Sequence, residues 1–404
     1  MERRATISPI TIMKHFGRIA RHPWIGSKMA ALQGEKWLFN FLYPNSAEGN
    51  AGKIRQLSFR ITDVCNLRCI TCGQWGKEGF LHGKSLKELK KQEVSLPRYK
   101  EILADLVEHG HRPMGYIWGG EPMLYEGTRE LIEYGAELGL PFSIATNGTR
   151  IASAAQRLVD APLFLLQISI DGHNSELHNR IRPSAGGTDS YAEIQAGLEA
   201  VREARAKAKS DLPLIASLTT ISKENFHNLV DIYEAYRDRV DLFVFYLSWW
   251  IDAKSAQAHD RDFSRRFGFD PKLHWGWLAG WKPADYSILD RQLRTIQARS
   301  RAWNLPPAMI IPNVTGEANL RDYYTNHDSR FGFDQCISIF QAVEVDSNGD
   351  MSPCRDYHDY VVGNIKTHTI SELWNSPVYR KFRTSIATDG LMPVCSRCCG
   401  LMGY

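Results

Sequence analysis

Cys65-Asn-Leu-Arg-Cys69-Ile-Thr-Cys72 places three cysteines within eight residues, spaced C-x-x-x-C-x-x-C. The run before it, Leu57-Ser-Phe-Arg-Ile-Thr62, reads as a strand, so the cysteines open a polar loop at a strand end. Three thiolates converging from one loop can hold three corners of a cubic iron–sulfur cluster and leave the fourth iron open. A structural zinc site usually wants four ligands in paired C-x-x-C form, which this spacing fits poorly. An iron with an open position points to chemistry rather than to electron storage.

Outward from this loop, apolar runs alternate with amphipathic ones. Strands are expected over residues 55–62, 114–118, 142–146, 163–170, 213–221 and 242–247. Helices are expected over 97–109, capped by Ser95, and over 128–138, 152–160, 190–207 and 226–237, the last capped by Asn225. A lysine-rich helix over 84–93 reads as a solvated surface insertion. Strands separated by helices of this length predict an α/β fold with a parallel sheet and helices outside. Six units in series predict a partial (β/α)6 TIM-like barrel, whose chemistry sits at the carboxyl ends of the strands. The chain then divides into an N-terminal helical extension (1–53), the barrel (54–250), a Trp-rich bridge (251–330) with a helix over 285–303, and a small cysteine-bearing domain (331–404).

The barrel motifs fall at the expected strand ends. Strand two ends in Trp118-Gly-Gly-Glu-Pro122, where glycines allow close backbone approach and a carboxylate can orient an ammonium. Strand three ends in Thr146-Asn147-Gly148, strand four in Ser169-Ile-Asp171-Gly172, and strand five in Thr219-Thr220-Ile221. His178-Asn-Arg-Ile-Arg182 precedes a Gly-rich turn, and a guanidinium is a natural fork for a carboxylate. Five more cysteines follow, at 336, 354, 395, 398 and 399. Cys354 ends a strand–Asn348-Gly349–strand hairpin, and Cys395-Ser-Arg-Cys398-Cys399 closes the cysteine set.

Residues 54–404 resemble the radical S-adenosylmethionine (SAM) enzymes. The match rests on the three-cysteine loop, Gly119-Gly120-Glu121 one strand later, and Arg182 before its Gly-rich turn. The resemblance implies a first 4Fe–4S cluster on Cys65, Cys69 and Cys72. It implies SAM contacts at Gly119, Gly120 and Glu121 (amino group), at Asn147, Ser169 and Asp171 (ribose), at Arg182 (carboxylate) with Arg180 as rival, and at Ile221 (adenine). The family's aromatic residue just before the third cysteine is Thr71 here, and either Trp75 or the backbone of Gly73 and Gln74 is expected to take its place. The later cysteines resemble the SPASM and shorter twitch extensions, which carry auxiliary clusters. Cys336, Cys354, Cys395 and Cys398 suit one fully coordinated auxiliary 4Fe–4S cluster, with Cys399 as alternative to Cys398 or as an inert neighbour. A four-cysteine zinc ribbon is the competing reading of this set.

The implied activity is reductive cleavage of SAM to a 5′-deoxyadenosyl radical, which removes a hydrogen atom from a small-molecule substrate. The auxiliary cluster would accept or conduct an electron, and a flavodoxin- or ferredoxin-type donor would supply the first one. Tyr246, Asp252 and Arg355 are candidates for the substrate proton acceptor. The alternatives are a maturase of ribosomal peptides and a non-catalytic metal scaffold. Composition is compatible with an enzyme: 404 residues, 43% hydrophobic and 23% charged. A net charge of +4 does not call for nucleic acid. Neither a secretory leader nor a membrane span is evident, which predicts a cytoplasmic protein. Residues 12–24 and 28–42 are expected as helices on the barrel flank, with contact to a membrane surface as the alternative.

Overall fold

The computed structural model describes residues 23–39, 46–161, 163–278 and 280–402. The first expected leader helix lies almost wholly outside them; the second corresponds to Pro23–Trp37. Ten strands follow: β1 Gln56–Thr62, β2 Met114–Gly119, β3 Phe142–Thr146, β4 Leu165–Ser169, β5 Leu214–Thr220, β6 Leu242–Tyr246, β7 Ala308–Ile311, β8 Ala342–Val345, β9 Asp350–Ser352 and β10 Gly363–Asn364. They make one sheet in the order β10-β9-β8-β1-β2-β3-β4-β5-β6-β7.

β1 to β7 are all parallel neighbours, the pattern of an open TIM-like barrel. Among the elements not expected, two stand out. The bridge holds a seventh parallel strand, β7, paired to β6. Only four residues long and entered from Pro306-Pro307, it presents too short an apolar run to stand out. The bridge also holds the helix Ala253–Phe267. Its buried stripe is Ala256, His259, Phe263 and Phe267, and a histidine in place of an aliphatic residue breaks the apolar period. The expected hairpin forms, and its first strand, β8, runs parallel to β1 and joins the barrel sheet.

Burial alternates along the inner strands. In β2, β3 and β4 the residues Ile117, Ile144, Leu166 and Ile168 are buried against the helices. Their neighbours Tyr116, Trp118, Ser143, Gln167 and Ser169 are half-buried. A filled barrel would bury both faces of each strand. Half-exposure of the inward row therefore marks a lumen with free space. On the outer layer, the helix Leu96–Glu108 buries Tyr99, Ile102, Leu103 and Leu106, each worth about 1.5–3 kcal/mol of burial. Ser95 occupies its N-cap position without a side-chain cap bond. Asn225 is not a helix cap either: Asn228 takes that position before Leu229–Tyr236. Asn225 instead accepts from Ser222 N and donates to the carbonyls of Asp171 and Thr220, tying the ends of β4 and β5. Among the described residues no helix is long and apolar enough to cross a membrane.

Candidate active site

The cysteine loop leaves β1 at Thr62. The Cys72 N–H closes on the Cys69 carbonyl at 3.2 Å, which turns the chain back on itself. Hydrogen-bond donors then surround the sulfurs. Leu67 N lies 3.4 Å from Cys65 Sγ, Trp75 N 3.3 Å from Cys72 Sγ, and the guanidinium of Arg182 3.7 Å from Cys69 Sγ. All eight cysteines are free. Burial pushes the thiols of Cys65 and Cys69 up to about 12, so their thiolates need a cation beside them. Three sulfurs with N–H groups aimed at them form a donor set that suits an iron–sulfur cluster.

Gly119 and Gly120 end β2 against this loop. A Cβ on Gly119 would stand 2.4 Å from Thr62 O, and one on Gly120 2.3 Å from Val64 O. Gly119 also has φ +142°, which favours glycine. Their bareness lets Gly120 N and Glu121 N bond the Thr62 and Val64 carbonyls at 2.7 and 2.8 Å. Glu121 is fully buried. Its carboxylate accepts from Thr146 Oγ1 at 2.6 Å, Asn147 N at 2.7 Å and Met123 N at 3.0 Å, pinning the ends of β2 and β3 together. Burial raises its pKa against these three donors. The carboxylate expected to face an ammonium is thus engaged inside the protein. Asn147 lies on the loop itself, its amide donating to Asn66 Oδ1 at 2.8 Å.

Asp171 and Arg182 form one unit. Arg182 Nε donates to Asp171 Oδ2 at 2.6 Å, while Asp171 Oδ1 accepts from Thr220 N at 2.8 Å. Asp171 therefore aims the guanidinium at Cys69. Arg180 is at the surface, paired with Glu176 and Glu224. Ser169 is half-buried at the end of β4. Ile221 is fully buried in the main core. Trp75 is buried too: its indole donates to the Asp63 carbonyl at 2.8 Å, and the Arg68 guanidinium covers its ring at 4.2 Å.

Two features were missed in the sequence. Trp277 comes from the bridge and rests on Gly73, whose added Cβ would fall 2.9 Å from the indole ring. Its Nε1 donates to the Asp356 carbonyl at 3.0 Å, so one side chain touches the segments after Cys72 and after Cys354. The Gly276-Trp277 pair beside a cysteine loop carries no local signal of that contact. The second is Arg60, buried and inward-facing on β1. It binds Asp63 at 3.0 Å, Asp346 at 3.3 Å and His358 Nε2 at 2.9 Å. Burial raises the Asp346 carboxyl to about 7. The polar alternation Ser58, Arg60, Thr62 in an interior strand was the available clue.

The lumen opens into a cavity of about 280 Å³. Its walls include Tyr116, Gln167, Tyr246 and Arg355 on one side and all five C-terminal cysteines on the other. The Arg355 guanidinium donates to Glu344 at 2.9 Å and stacks over the Tyr116 ring at 4.8 Å. Of the three candidate proton acceptors, Tyr246 and Arg355 reach this cavity. Asp252 does not: it caps the helix Ala253–Phe267 through Ser255 N at 2.7 Å and faces His327. Burial raises Tyr246 well above the ordinary phenol range. The Cys354 and Cys398 thiols are close enough to shift each other's titration. Cys395 feels the charges of Cys398 and Cys336. Cys399 turns away: its N–H and Sγ both donate to Asp356, at 3.1 and 3.4 Å. Buried Arg397, between Cys395 and Cys398, donates to the carbonyls of Ser329 and Asn326 at 3.0 Å each and anchors the turn.

A cysteine-lined lumen beside a three-cysteine strand end is the architecture of an iron–sulfur enzyme. Residues 59–235 match the model of the radical SAM superfamily, and residues 336–399 match that of the SPASM iron–sulfur cluster-binding domain. The chain belongs to the radical SAM superfamily and carries a SPASM-type C-terminal domain. Its cofactors are accordingly a SAM-binding 4Fe–4S cluster, SAM and auxiliary iron–sulfur. It is 24% identical to an AdoMet-dependent heme synthase of Methanosarcina barkeri over 84% of this chain and 88% of that one. It is 27% identical to a GTP 3′,8-cyclase of Pseudomonas putida over 48% of this chain and 53% of that one. Streptococcus suis SuiB bound to precursor peptide SuiA superposes with a TM-score of 0.56 at 15% identity, covering 87% of this chain and 72% of SuiB. Native anSMEcpe with bound AdoMet gives 0.54 at 18%, covering 81% and 83%. At these identities the structural likeness shows the fold alone.

Proposed function

We propose that the chain is a radical SAM enzyme that abstracts a hydrogen atom from a small molecule held in the lumen and passes the resulting electron to an auxiliary cluster. The observation that carries this reading is the shared wall of the cavity: lumen residues Tyr116, Gln167 and Tyr246 and the C-terminal cysteines line one space of about 280 Å³. When bound, the first cluster and SAM supply a carbon radical able to attack an unreactive C–H bond. The chain's own groups do the rest. Cys65, Cys69 and Cys72 would hold the first cluster. Arg182, aimed by Asp171, would pair the SAM carboxylate beside Cys69. The SAM amino group would meet strand-end backbone near Gly119 and Gly120, because the Glu121 carboxylate already serves three donors. Asn147 and Ser169 would bond the ribose, and the Trp277 indole, which rests on Gly73, would neighbour the adenine in place of buried Trp75 and Ile221. Cys336, Cys354, Cys395 and Cys398 would hold the auxiliary cluster, and Arg355, held by Glu344, would orient a polar group of the substrate.

The heme synthase relatives make a tetrapyrrole the first substrate class to assay. A peptide maturase reading rests on likeness of fold. The test is anaerobic reconstitution with iron, sulfide, SAM and a low-potential reductant. Release of 5′-deoxyadenosine, abolished by Cys65→Ala, is the expected result. Iron near eight atoms per chain supports two clusters, and about four sinks the auxiliary one. No 5′-deoxyadenosine, even in uncoupled turnover, would overturn the enzyme reading.

A further inference from the structure

An electron delivered to the auxiliary cysteines has to leave the interior, and the structure offers a continuous row of rings for it. Tyr357 lies three residues after Cys354, is 3% exposed, and its hydroxyl donates to the Arg397 carbonyl, between Cys395 and Cys398, at 3.4 Å. Its ring is 6.2 Å from that of His259, which is 4.8 Å from His274, which is 5.5 Å from Trp275. His259 and His274 are fully buried, whereas Trp275 is 36% exposed. Asp260 fixes the outer end, standing 3.1 Å from His274 Nε2 and accepting from Trp275 Nε1 at 3.3 Å.

Stability does not account for this row. Neither ring nitrogen of His259 has a hydrogen-bond partner. An unsatisfied buried polar group costs about 1–3 kcal/mol, so leucine or phenylalanine would fill the same helical stripe at lower cost. Tunnelling probability falls exponentially with the length of unfilled gap, and the packed rings, one pair edge to face and two tilted, shorten the gaps from Tyr357 to the surface.

We propose that Tyr357, His259, His274 and Trp275 form the electron route between the auxiliary cluster and a one-electron carrier protein that docks at Trp275. The route rests on the reading that Cys336, Cys354, Cys395 and Cys398 hold a cluster. One electron leaves the reduced cluster and reduces the oxidised carrier, or passes in reverse from a reduced carrier; no bond forms or breaks and no proton is required. Around Trp275 the exposed cations Arg261 and Lys272 stand among Asp260 and Asp359, a mixed-charge rim about an apolar ring, which suits a small flavin carrier of the flavodoxin kind.

The test uses the full chain with Cys65→Ser, Cys69→Ser and Cys72→Ser, so that only the auxiliary cluster reports. Flavodoxin in its hydroquinone state is the probe, with stopped-flow bleaching and freeze-quench electron paramagnetic resonance as readouts. Trp275→Leu and His259→Leu are expected to slow cluster reduction by an order of magnitude or more, at unchanged iron content and midpoint potential. His259→Phe, which keeps a ring, is expected to retain most of the rate. Unchanged rates in both leucine variants with intact iron overturn the route while leaving the cluster reading standing. A triple-serine chain that binds no iron overturns both. If His259→Leu fails to fold, Trp275→Leu at the surface decides.

Discussion

Replacing Arg182 by methionine separates the roles of the Asp171–Arg182 pair. The Asp171 side chain is 0% exposed and Arg182 13% exposed. With the guanidinium gone, Asp171 Oδ2 loses its 2.6 Å partner, and only Thr220 N remains on Oδ1. Leaving one member of a buried pair uncompensated costs about 3–5 kcal/mol. Asp171→Asn should cost less, about 1–3 kcal/mol, because Arg182 is near enough to the surface to find water. The double variant removes both charges and should recover part of the loss, with a coupling of about 2 kcal/mol. Urea unfolding followed by tryptophan fluorescence measures all four chains. Isothermal titration of SAM into the reconstituted chains then reads the functional consequence: Arg182→Met should weaken binding beyond Asp171→Asn, which keeps the cation but loosens its aim. A loss under about 1 kcal/mol in Arg182→Met, the value of an exposed pair, or strict additivity in the cycle, would refute the buried-unit argument.

Gly120→Ala drives a methyl into Val64 O at 2.3 Å. It should cost about 1–3 kcal/mol and lower iron retention, both readable by thermal melting and iron assay. Cys398→Ala should remove auxiliary iron, about four atoms per chain, whereas Cys399→Ala, whose thiol is turned to Asp356, should keep it; iron lost in Cys399→Ala and kept in Cys398→Ala would reverse the ligand assignment. Burial lowers His259 to about 3, below its unfolded value of 6.5. The unfolded chain therefore binds more protons between these values, and stability present above pH 6.5 is lost as pH falls towards 3. At pH 5 this amounts to about 2 kcal/mol. His259→Phe should remove that share of the slope when urea midpoints are compared at pH 7 and pH 5.

Elements with local signatures were legible. The cysteine loop, Gly119-Gly120-Glu121 and the six longer parallel strands each announce themselves within a few residues of chain. What was hidden depends on partners far apart in sequence. Asp171 and Arg182 were both singled out, yet their pairing needs the turn after β4 folded back over Cys69. Glu121 reads as a free carboxylate until Thr146 and Asn147 arrive from β3. Arg60 meets Asp346 and His358 only because β8 lies beside β1. β7 and the helix Ala253–Phe267 escaped for another reason: one is short, and the other buries a histidine where the period calls for a hydrocarbon.

The parallel ladder from Gln56 to Phe59 along Ala342 to Val345 has a further consequence. The strand that feeds the first cysteine loop and the strand that leads to Cys354 belong to one sheet, without a hinge between them. The spacing of the two redox centres is then a property of backbone geometry, set before any substrate arrives. Under the proposed function, the distance an electron crosses between the two cysteine sets is therefore fixed by this pairing. A chain cut before β8 would lose more than its second centre: β1 would be left as a bare edge, prone to pairing with another copy.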